Sequence, residues 1–223
     1  PPSGMSTAEW GQLNHRLDIA TSAYSGPWSV DTIPVMRGIL DALDDDSIRE
    51  VTIQKPSQEA GSESVLVWLK RVAAEDPGPA MWVFADEGTA KKFCETRIQP
   101  AFRACPALAG LIDEAHFNQD EIRLKNGFSL IMTWASSVAK TASVPVRYLI
   151  TDEICKPAYS KTQGEGGVIR RIKQRTSKFP NYKFVKLSSV NVDGDNMARE
   201  MARTDAAFDF NVPCPHCNHE QPM

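Results

Sequence analysis

The stretch Val146-Arg147-Tyr148-Leu149-Ile150-Thr151-Asp152-Glu153 ends a run of β-branched and aromatic residues with two adjacent carboxylates. Such a run predicts a buried strand, and the acids then lie at its carboxyl end, where α/β sheets bind their ligands. This is the pattern of a Walker B strand, in which Asp152 holds Mg²⁺ and Glu153 acts on the attacking water. A buried strand that ends in a solvated turn is the alternative, and this motif alone does not decide between them.

Strand-like and helical stretches alternate along most of the chain. The predicted strands are Glu50–Gln54, Met81–Ala85, Glu121–Leu124, Ser129–Trp134, Val146–Thr151 and Lys183–Ser188. The predicted helices are Ala8–Ala20 and Val35–Leu43 in the N-terminal segment, then Glu63–Ala74, Thr89–Cys105, Gly167–Ser177 and Asp195–Arg203. This alternation predicts an α/β fold with a mainly parallel sheet flanked by helices. Asn126-Gly127 predicts a hairpin inside it.

The composition is that of an ordinary globular protein. Of the 223 residues, 42% are hydrophobic and 24% are charged, and no apolar run approaches the roughly 20 residues that span a bilayer. We therefore expect no membrane partner. Five cysteines, an odd and sparse set, predict no disulfide scaffold, so we expect a reducing, cytoplasmic setting. The net charge of −3 predicts that any contact with nucleic acid is local.

A phosphate-binding loop is expected upstream of the two acids, between a strand and a helix. The segment with the right length is Lys55-Pro56-Ser57-Gln58-Glu59-Ala60-Gly61-Ser62. Ser62 stands where the Mg²⁺-binding hydroxyl belongs, at a helix N-terminus that attracts phosphate. The lysine, however, is the first residue of the segment and the glycine the seventh. From these residues alone an ordinary strand-to-helix loop remains the favoured interpretation.

Two further features of the sequence have possible functions. A basic run without acids includes Arg170, Arg171, Lys173 and Arg175 and continues through Lys178, Lys183 and Lys186. It can hold DNA phosphates, or it can be a solvated helix face. Cys214 and Cys217 form a C-x-x-C knuckle, which supplies half of a tetrahedral zinc site. His216 and His219 can contribute, but a complete Zn²⁺ site most simply needs a second knuckle in the longer protein.

Taken in order, these motifs resemble the large terminase subunits of lambda-like phages. The matching segments are Gly26-Pro27-Trp28, Lys55-Pro56-Ser57-Gln58, Gly61-Ser62-Glu63, Pro145-Val146-Arg147, Gly164-Glu165-Gly166 and Val212-Pro213-Cys214-Pro215-His216-Cys217. The resemblance implies a P-loop NTPase core of the ASCE or RecA-like type, in which a loop-initial lysine is normal. It also implies three regions: an N-terminal helical segment with an adenine-side loop (1–46), an ATPase core (47–210), and the start of a knuckle or linker (211–223). A nuclease domain, for which these residues leave no room, would follow.

The resemblance also implies the roles of individual residues. It places ATP against Lys55, Pro56, Ser57, Gln58, Glu59, Ala60, Gly61, Ser62 and Glu63, with Mg²⁺ on Ser62 and Asp152. It places the adenine beside Trp28, Met36 and Arg37, and a motif that senses the γ-phosphate at Ser188-Ser189. Glu59 and Ala60 depart from the family pattern and should weaken binding. An arginine expected near Val144 is absent, so Lys140 and Arg147 are the nearby cations.

A family member would hydrolyse ATP to move double-stranded DNA into a procapsid. Its implied partners are DNA, neighbouring copies in a ring, the portal protein and the small terminase subunit. It would act in the host cell cytoplasm, docked on the procapsid. Two alternatives stay open: a weakly catalytic or non-catalytic assembly domain with a degenerate loop, and a helicase-like NTPase unrelated to packaging.

Overall fold

A seven-stranded, mainly parallel sheet organises the computed structural model, which describes residues 2–17, 25–55, 61–137, 144–160, 167–189 and 196–222. The strands of these ranges are β1 Arg16–Leu17, β2 Gly26–Pro27, β3 Glu50–Gln54, β4 Pro79–Phe84, β5 Ile112–Phe117, β6 Glu121–Leu124, β7 Ser129–Trp134, β8 Tyr148–Thr151, β9 Lys183–Ser188, β10 Asn211–Pro213 and β11 Glu220–Pro222. The sheet has the order β3-β9-β8-β4-β7-β6-β5. Its first five strands run parallel, and β6 pairs antiparallel with both β7 and β5.

Helices cover this sheet. They are α1 Thr7–Asn14, α2 Val35–Asp44, α3 Gly61–Glu75, α4 Glu87–Phe93, α5 Gln99–Arg103, α6 Pro157–Ser160, α7 Val168–Lys173 and α8 Asn196–Met201. Short 3₁₀ turns occur at Val30–Thr32, Ala109–Leu111 and Gln174–Thr176, and a π-helical turn, Cys94–Ile98, joins α4 to α5. None of the helices in the described ranges is both long and apolar enough to cross a bilayer.

The observed elements confirm the predicted α/β fold. Strands β3, β6, β7 and β9 have the predicted bounds, while β4 begins two residues early and β8 begins at Tyr148. The helix predicted at Thr89–Cys105 is observed as a continuous helical run from Glu87 to Arg103. It begins two residues earlier than predicted because the Asp86 side chain caps it by accepting the Thr89 N–H. Strand β5 was not predicted, since its exposed residues are mostly polar at a sheet edge.

Alternate residues of the central strands point to opposite faces of the sheet, as strand geometry requires. Ala80 and Trp82 join a core with α1, α2, α3 and the helical run from α4 to α5. Met81 and Val83 join a second core with α6, α7 and α8. Both faces are therefore buried, and ligand access is left to the two ends of the strands.

The N-terminal segment packs closely on α3. At Gly11 of α1, an added Cβ would lie 2.7 Å from the Trp28 ring and 2.8 Å from Val67, so only glycine permits this approach. A capping box at Ser6 and Glu9 begins α1, which ends at Asn14. The predicted helix Ala8–Ala20 is therefore shorter than expected, and residues 18–24 lie outside the described ranges.

Candidate active site

The carboxyl ends of three neighbouring strands meet at the candidate site. Strand β9 lies between β3 and β8, so Lys55 and Asp152 approach from either side of Ser188. The Lys55 N–H donates to the Ser188 carbonyl (3.1 Å), and the Cys155 N–H donates to the Ser188 hydroxyl (3.2 Å). The end of β9 therefore ties the root of the predicted phosphate loop to the turn that follows the two acids.

Asp152 is the buried acid of the site, and 4% of the residue is exposed. Its carboxylate accepts a hydrogen bond from the Ser62 hydroxyl (3.1 Å) and another from the Glu153 N–H (3.0 Å). Burial raises the pKa of Asp152 to about 6, against the opposing effects of the Lys55 ammonium and the Ser62 hydroxyl. A divalent cation bound to the carboxylate would offset the unfavourable free energy of this buried charge. The hydroxyl and carboxylate oxygens also have the ligand chemistry that Mg²⁺ prefers.

Glu153 is the more accessible acid. Its backbone has a φ of 55°, a left-handed conformation that is uncommon for residues other than glycine and that recurs at functional sites. The carboxylate Oε1 lies 3.6 Å from the Lys55 ammonium. The turn thus presents the second acid toward the phosphate-loop lysine while the first stays buried behind it.

The Lys55 side chain runs over Gly61 at the start of α3. A Cβ added at Gly61 would lie 2.6 Å from Lys55 Cδ, so a side chain here would displace the lysine. The structure brings together four residues that the sequence singles out, Lys55, Ser62, Asp152 and Glu153. The remaining predicted loop residues, Pro56, Ser57, Gln58, Glu59 and Ala60, lie outside the described ranges.

Glu63 has a different role from the predicted one. It lies in the first turn of α3, and its carboxylate accepts hydrogen bonds from His15 Nε2 (2.5 Å) and Arg97 Nη2 (2.6 Å). The expected contact of Glu63 with nucleotide is therefore corrected, because one carboxylate oxygen is engaged by His15 of the N-terminal segment and the other by Arg97 of the helical run from α4 to α5.

The predicted adenine-side residues also need correction. Trp28 and Met36 are 3% and 1% exposed, and both belong to the core that packs against α3. Their side chains fill the interior instead of offering a surface to an adenine ring. Arg37 is exposed and pairs with Asp31 at 2.8 Å, so it is the predicted residue of this group that remains accessible.

Ser188 and Ser189 occupy the end of β9. The Ser188 side chain is buried, and its hydroxyl donates to the Ser189 carbonyl while it accepts the Cys155 N–H. The hydroxyl is therefore engaged within the protein, and the predicted phosphate-sensing role would fall on the half-exposed Ser189. The continuation of that motif at Val190-Asn191 and the family segment Gly164-Glu165-Gly166 lie outside the described residues.

Arg147 lies at the opposite end of β8 from the acids. Its guanidinium pairs with Asp76 through two contacts, at 2.7 and 2.5 Å, and stacks over the Tyr148 ring. Arg147 is therefore excluded as a cation acting on this chain's own site. Lys140, the other candidate, lies outside the described part of the chain.

The structure divides the basic run into buried and surface members. Lys183 is buried and donates to the Asp45 and Ile48 carbonyls (2.7 and 2.5 Å). Lys186 is buried as well and pairs with Glu50 and Glu200. These two lysines stabilise the fold and are not available to DNA.

The surface members of the run lie on and after α7. Lys173 pairs with Glu50, which neutralises part of its charge. Arg170 and Lys178 are exposed, and Arg171 and Arg175 are half-buried. We call Arg170, Arg171, Arg175 and Lys178 the α7 patch; it is the part of the predicted DNA surface that the structure leaves accessible.

The cysteine knuckle is folded although it is exposed. It forms the turn between β10 and β11, where the Cys214 N–H donates to the His219 carbonyl (2.8 Å) and Asn218 takes a φ of 59°. N–H groups of His216 and Cys217 point at the Cys214 sulfur and lower the pKa of its thiol. No group of three or more metal-ligating side chains is present in the described ranges.

Sequence reasoning missed the contribution of His15 and Lys70 to this region. Lys70 is 1% exposed, and its ammonium lies 2.6 Å from His15 Nδ1. The signal that can reveal it is a lysine within the apolar stripe of a predicted helix, because such a charge is buried only when partners surround it. Its partner His15 follows the last residue of α1, 55 residues earlier in the sequence, so a local sequence pattern does not reveal the pair.

Comparison with known proteins identifies relatives of the chain. Residues 22–223 match the family described as phage terminase large subunit gpA, ATPase domain. The chain is 26% identical over 233 residues to the terminase large subunit of Escherichia phage lambda, and 25% identical over 231 residues to that of Enterobacteria phage P21. Each match covers 99% of this chain and 35% of the relative, so the chain spans about a third of the length of these curated relatives.

Two solved structures have a similar fold. The HK97 bacteriophage large terminase superposes with a TM-score of 0.67 at 11% identity, over 91% of this chain and 40% of that one. An ATPase-domain mutant of the Thermus phage P74-26 large terminase superposes with a TM-score of 0.54 at 13% identity, over 94% of this chain and 83% of that one. At these identities the similarity concerns the fold alone.

Proposed function

Since this chain belongs to the family of phage terminase large subunit gpA ATPase domains, we propose that it is an ATP-hydrolysing motor domain that moves double-stranded DNA into a procapsid. The observation that carries the proposal is the meeting of Lys55, Ser62, Asp152 and Glu153 at the carboxyl edge of the sheet. An ammonium, a hydroxyl and two acids are the groups that phosphoryl transfer requires.

Each residue has a distinct role in this proposal. Ser62 and Asp152 would hold Mg²⁺, which would neutralise charge on the nucleotide phosphates. Glu153 orients the attacking water and accepts its proton. Lys55 moves from Glu153 to the phosphate oxygens, which a long and flexible side chain rooted at the first loop residue can reach. Its charge then stabilises the transition state.

Partners of the motor follow from the same proposal. The α7 patch holds DNA phosphates without reading bases, as the phosphate contacts of a motor must. Neighbouring copies in a ring would each supply a further cation to the next copy's site, in addition to that site's own Lys55. The portal protein and the small terminase subunit would dock the ring on a procapsid in the host cytoplasm. Cys214 and Cys217 would supply two of the four ligands of a tetrahedral Zn²⁺ site.

The test is a pair of substitutions in a preparation with measurable turnover. Glu153→Gln removes the proton acceptor and should abolish hydrolysis while Mg-nucleotide binding persists. Lys55→Ala should lower turnover by roughly 10²–10³-fold, the effect of losing one preorganised electrostatic contact, and weaken binding less. Lys156→Ala is the matched control, since it is an exposed lysine three residues after Glu153. Wild-type turnover in both site variants would refute the assignment.

The alternative function is a nucleotide-binding assembly domain with a degenerate loop. It predicts weak nucleotide binding with little or no turnover, including on procapsid portals with DNA. Measuring turnover and binding on the same wild-type preparation separates the two functions.

A further inference from the structure

A buried chain of charged and polar side chains connects the N-terminal segment to the first turn of α3. Lys70 Nζ lies 2.6 Å from His15 Nδ1, and His15 Nε2 lies 2.5 Å from Glu63 Oε1. The other Glu63 oxygen lies 2.6 Å from Arg97 on the helical run between α4 and α5. Glu63 directly follows Ser62, so this chain ends beside the hydroxyl that reaches Asp152.

The pKa of Lys70 is about 8 and that of Glu63 about 2, so at pH 7 the lysine is charged and the carboxylate ionised, and one arrangement of protons then satisfies the contacts. An ammonium has no acceptor, so Lys70 must donate to His15 Nδ1, and His15 must carry its proton on Nε2 and donate to Glu63. The imidazole is therefore neutral, and burial together with the nearby Lys70 charge lowers the pKa of His15 in agreement. Burial also lowers the pKa of Lys70, to about 8.

The contacts among Lys70, His15, Glu63 and Arg97 fix both the position of α3 and its rotation about its own axis. Glu63 and Lys70 are seven residues apart and therefore lie on one face of α3. His15 bridges both of them, and the edge of its ring packs against Trp28, with 6.0 Å between ring centroids. A change at His15 would free the first turn of α3 to rotate, and Ser62 would move with it.

We propose that His15 is a positioning residue for the nucleotide site: as a neutral bridge between Lys70 and Glu63, it fixes the first turn of α3 so that the Ser62 hydroxyl stays on Asp152. The inference rests on the proposed function, because it concerns the same Mg²⁺-nucleotide site. It adds a role for the N-terminal segment that needs no contact with the nucleotide.

The experiment measures nucleotide affinity with and without Mg²⁺ in purified protein. In His15→Leu the ratio of the two affinities should fall about tenfold, as expected for losing buried hydrogen bonds to charged groups, while Mg²⁺-free binding stays near the wild-type value. His15→Gln should retain the ratio, because the amide can donate to Glu63 and accept from Lys70. A merely structural role would lower the fraction of active protein and leave the ratio unchanged.

Asp44→Ala serves as the matched control. Asp44 ties α1 to the far end of α3 through Thr7 and Arg71, so its loss loosens the same elements away from Ser62. The Mg²⁺ ratio of this variant should stay at the wild-type value. If His15→Leu does not fold, Arg97→Met removes the other partner of Glu63 and should lower the ratio in the same way.

Imidazole ¹⁵N NMR gives a readout independent of nucleotide. It should show His15 neutral at pH 7 with the proton on Nε2. A charged imidazole, or an unchanged Mg²⁺ ratio in both His15→Leu and Arg97→Met, would overturn the inference. A wild-type protein whose nucleotide affinity does not respond to Mg²⁺ would instead refute the proposed function.

Discussion

Replacing Asp152 by asparagine should stabilise the nucleotide-free protein while it removes Mg²⁺-dependent nucleotide binding. In the proposed function the buried carboxylate would hold Mg²⁺, and without a cation burial makes its charge unfavourable. Asparagine keeps the shape and the contacts, since its carbonyl can accept the Glu153 N–H and its amide can donate to the Ser62 hydroxyl. The substitution therefore removes a buried charge at little structural cost.

The magnitude follows from the pKa of Asp152. It is about 6 in the fold against an ordinary value of 3.8, and the interval corresponds to about 3 kcal/mol favouring the protonated form. At pH 8 the wild-type carboxylate is ionised in both the folded and the unfolded chain, so this free energy opposes folding. That pKa already includes the attraction of Lys55, so about 3 kcal/mol is the upper limit of the gain. Since the neutral amide makes weaker contacts than the carboxylate, we expect a net gain of about 1–3 kcal/mol, or roughly 2–12 °C in Tm.

The pH dependence has a definite sign. A folded pKa above the unfolded value means that the folded protein binds more protons between about pH 4 and pH 6, so this group's contribution to wild-type stability falls as pH rises through that window. The advantage of Asp152→Asn should therefore be largest above pH 6 and vanish below about pH 4. Thermal denaturation of both proteins without Mg²⁺ across this range measures it.

Asp76→Asn is a control of opposite sign. Burial raises the pKa of Asp76, but hydrogen bonds from Arg147 and Tyr148 outweigh it and lower the pKa overall, so its removal should destabilise the protein above the normal pKa of an aspartate. Equal destabilisation by both substitutions, or a gain for Asp152→Asn that does not change with pH, would refute the reasoning.

Three further predictions concern the site and its surroundings. Gly61→Ala should reduce hydrolysis, but less than Lys55→Ala, since the new Cβ would lie 2.6 Å from Lys55 Cδ and the flexible lysine can shift while it keeps its ammonium; steady-state turnover of a folded variant checks this. Reversing the charge of Arg170, Arg171 and Arg175 together should weaken DNA binding and flatten its salt dependence equally for all sequences, and salt titrations that match wild type would contradict a DNA role. Turnover per subunit should rise with protein concentration or on procapsid portals, and a rate independent of both would argue against sites completed by neighbours.

Local pattern predicted the elements that build the site. The apolar run of β8 and the apolar residues of β9 are sufficient to locate these strands, because both faces of a parallel sheet are buried. Strand β3 lies at the sheet edge, and its β-branched Val51, Thr52 and Ile53 are sufficient to locate it. The two acids at the end of β8 then fall at the ligand edge by geometry alone. The resemblance was needed for Lys55, since its position in the loop departs from the usual phosphate-binding pattern.

The roles that sequence misassigned depend on partners from distant elements. Glu63 looks like a phosphate-loop residue until His15 is seen to occupy its carboxylate. Lys186 looks like part of a basic surface until Glu200 is seen beside it in the interior. Met36 looks like an accessible residue beside the adenine until the packing of its helix, α2, against α3 is seen to bury it. These contacts join residues far apart in the chain, so no local period encodes them.

The position of β9 has a consequence for the order in which the protein can assemble. Strand β3 pairs within the described sheet only with β9, which is more than a hundred residues later in the chain. Until residues 183–188 have left the ribosome, no strand pairing in the described sheet joins β3, which leads into Lys55, to β8, which leads into the two acids. Such late, non-local closure slows folding. Nascent chains that end before β9 should therefore bind no nucleotide, even though Lys55, Ser62, Asp152 and Glu153 are already present in them.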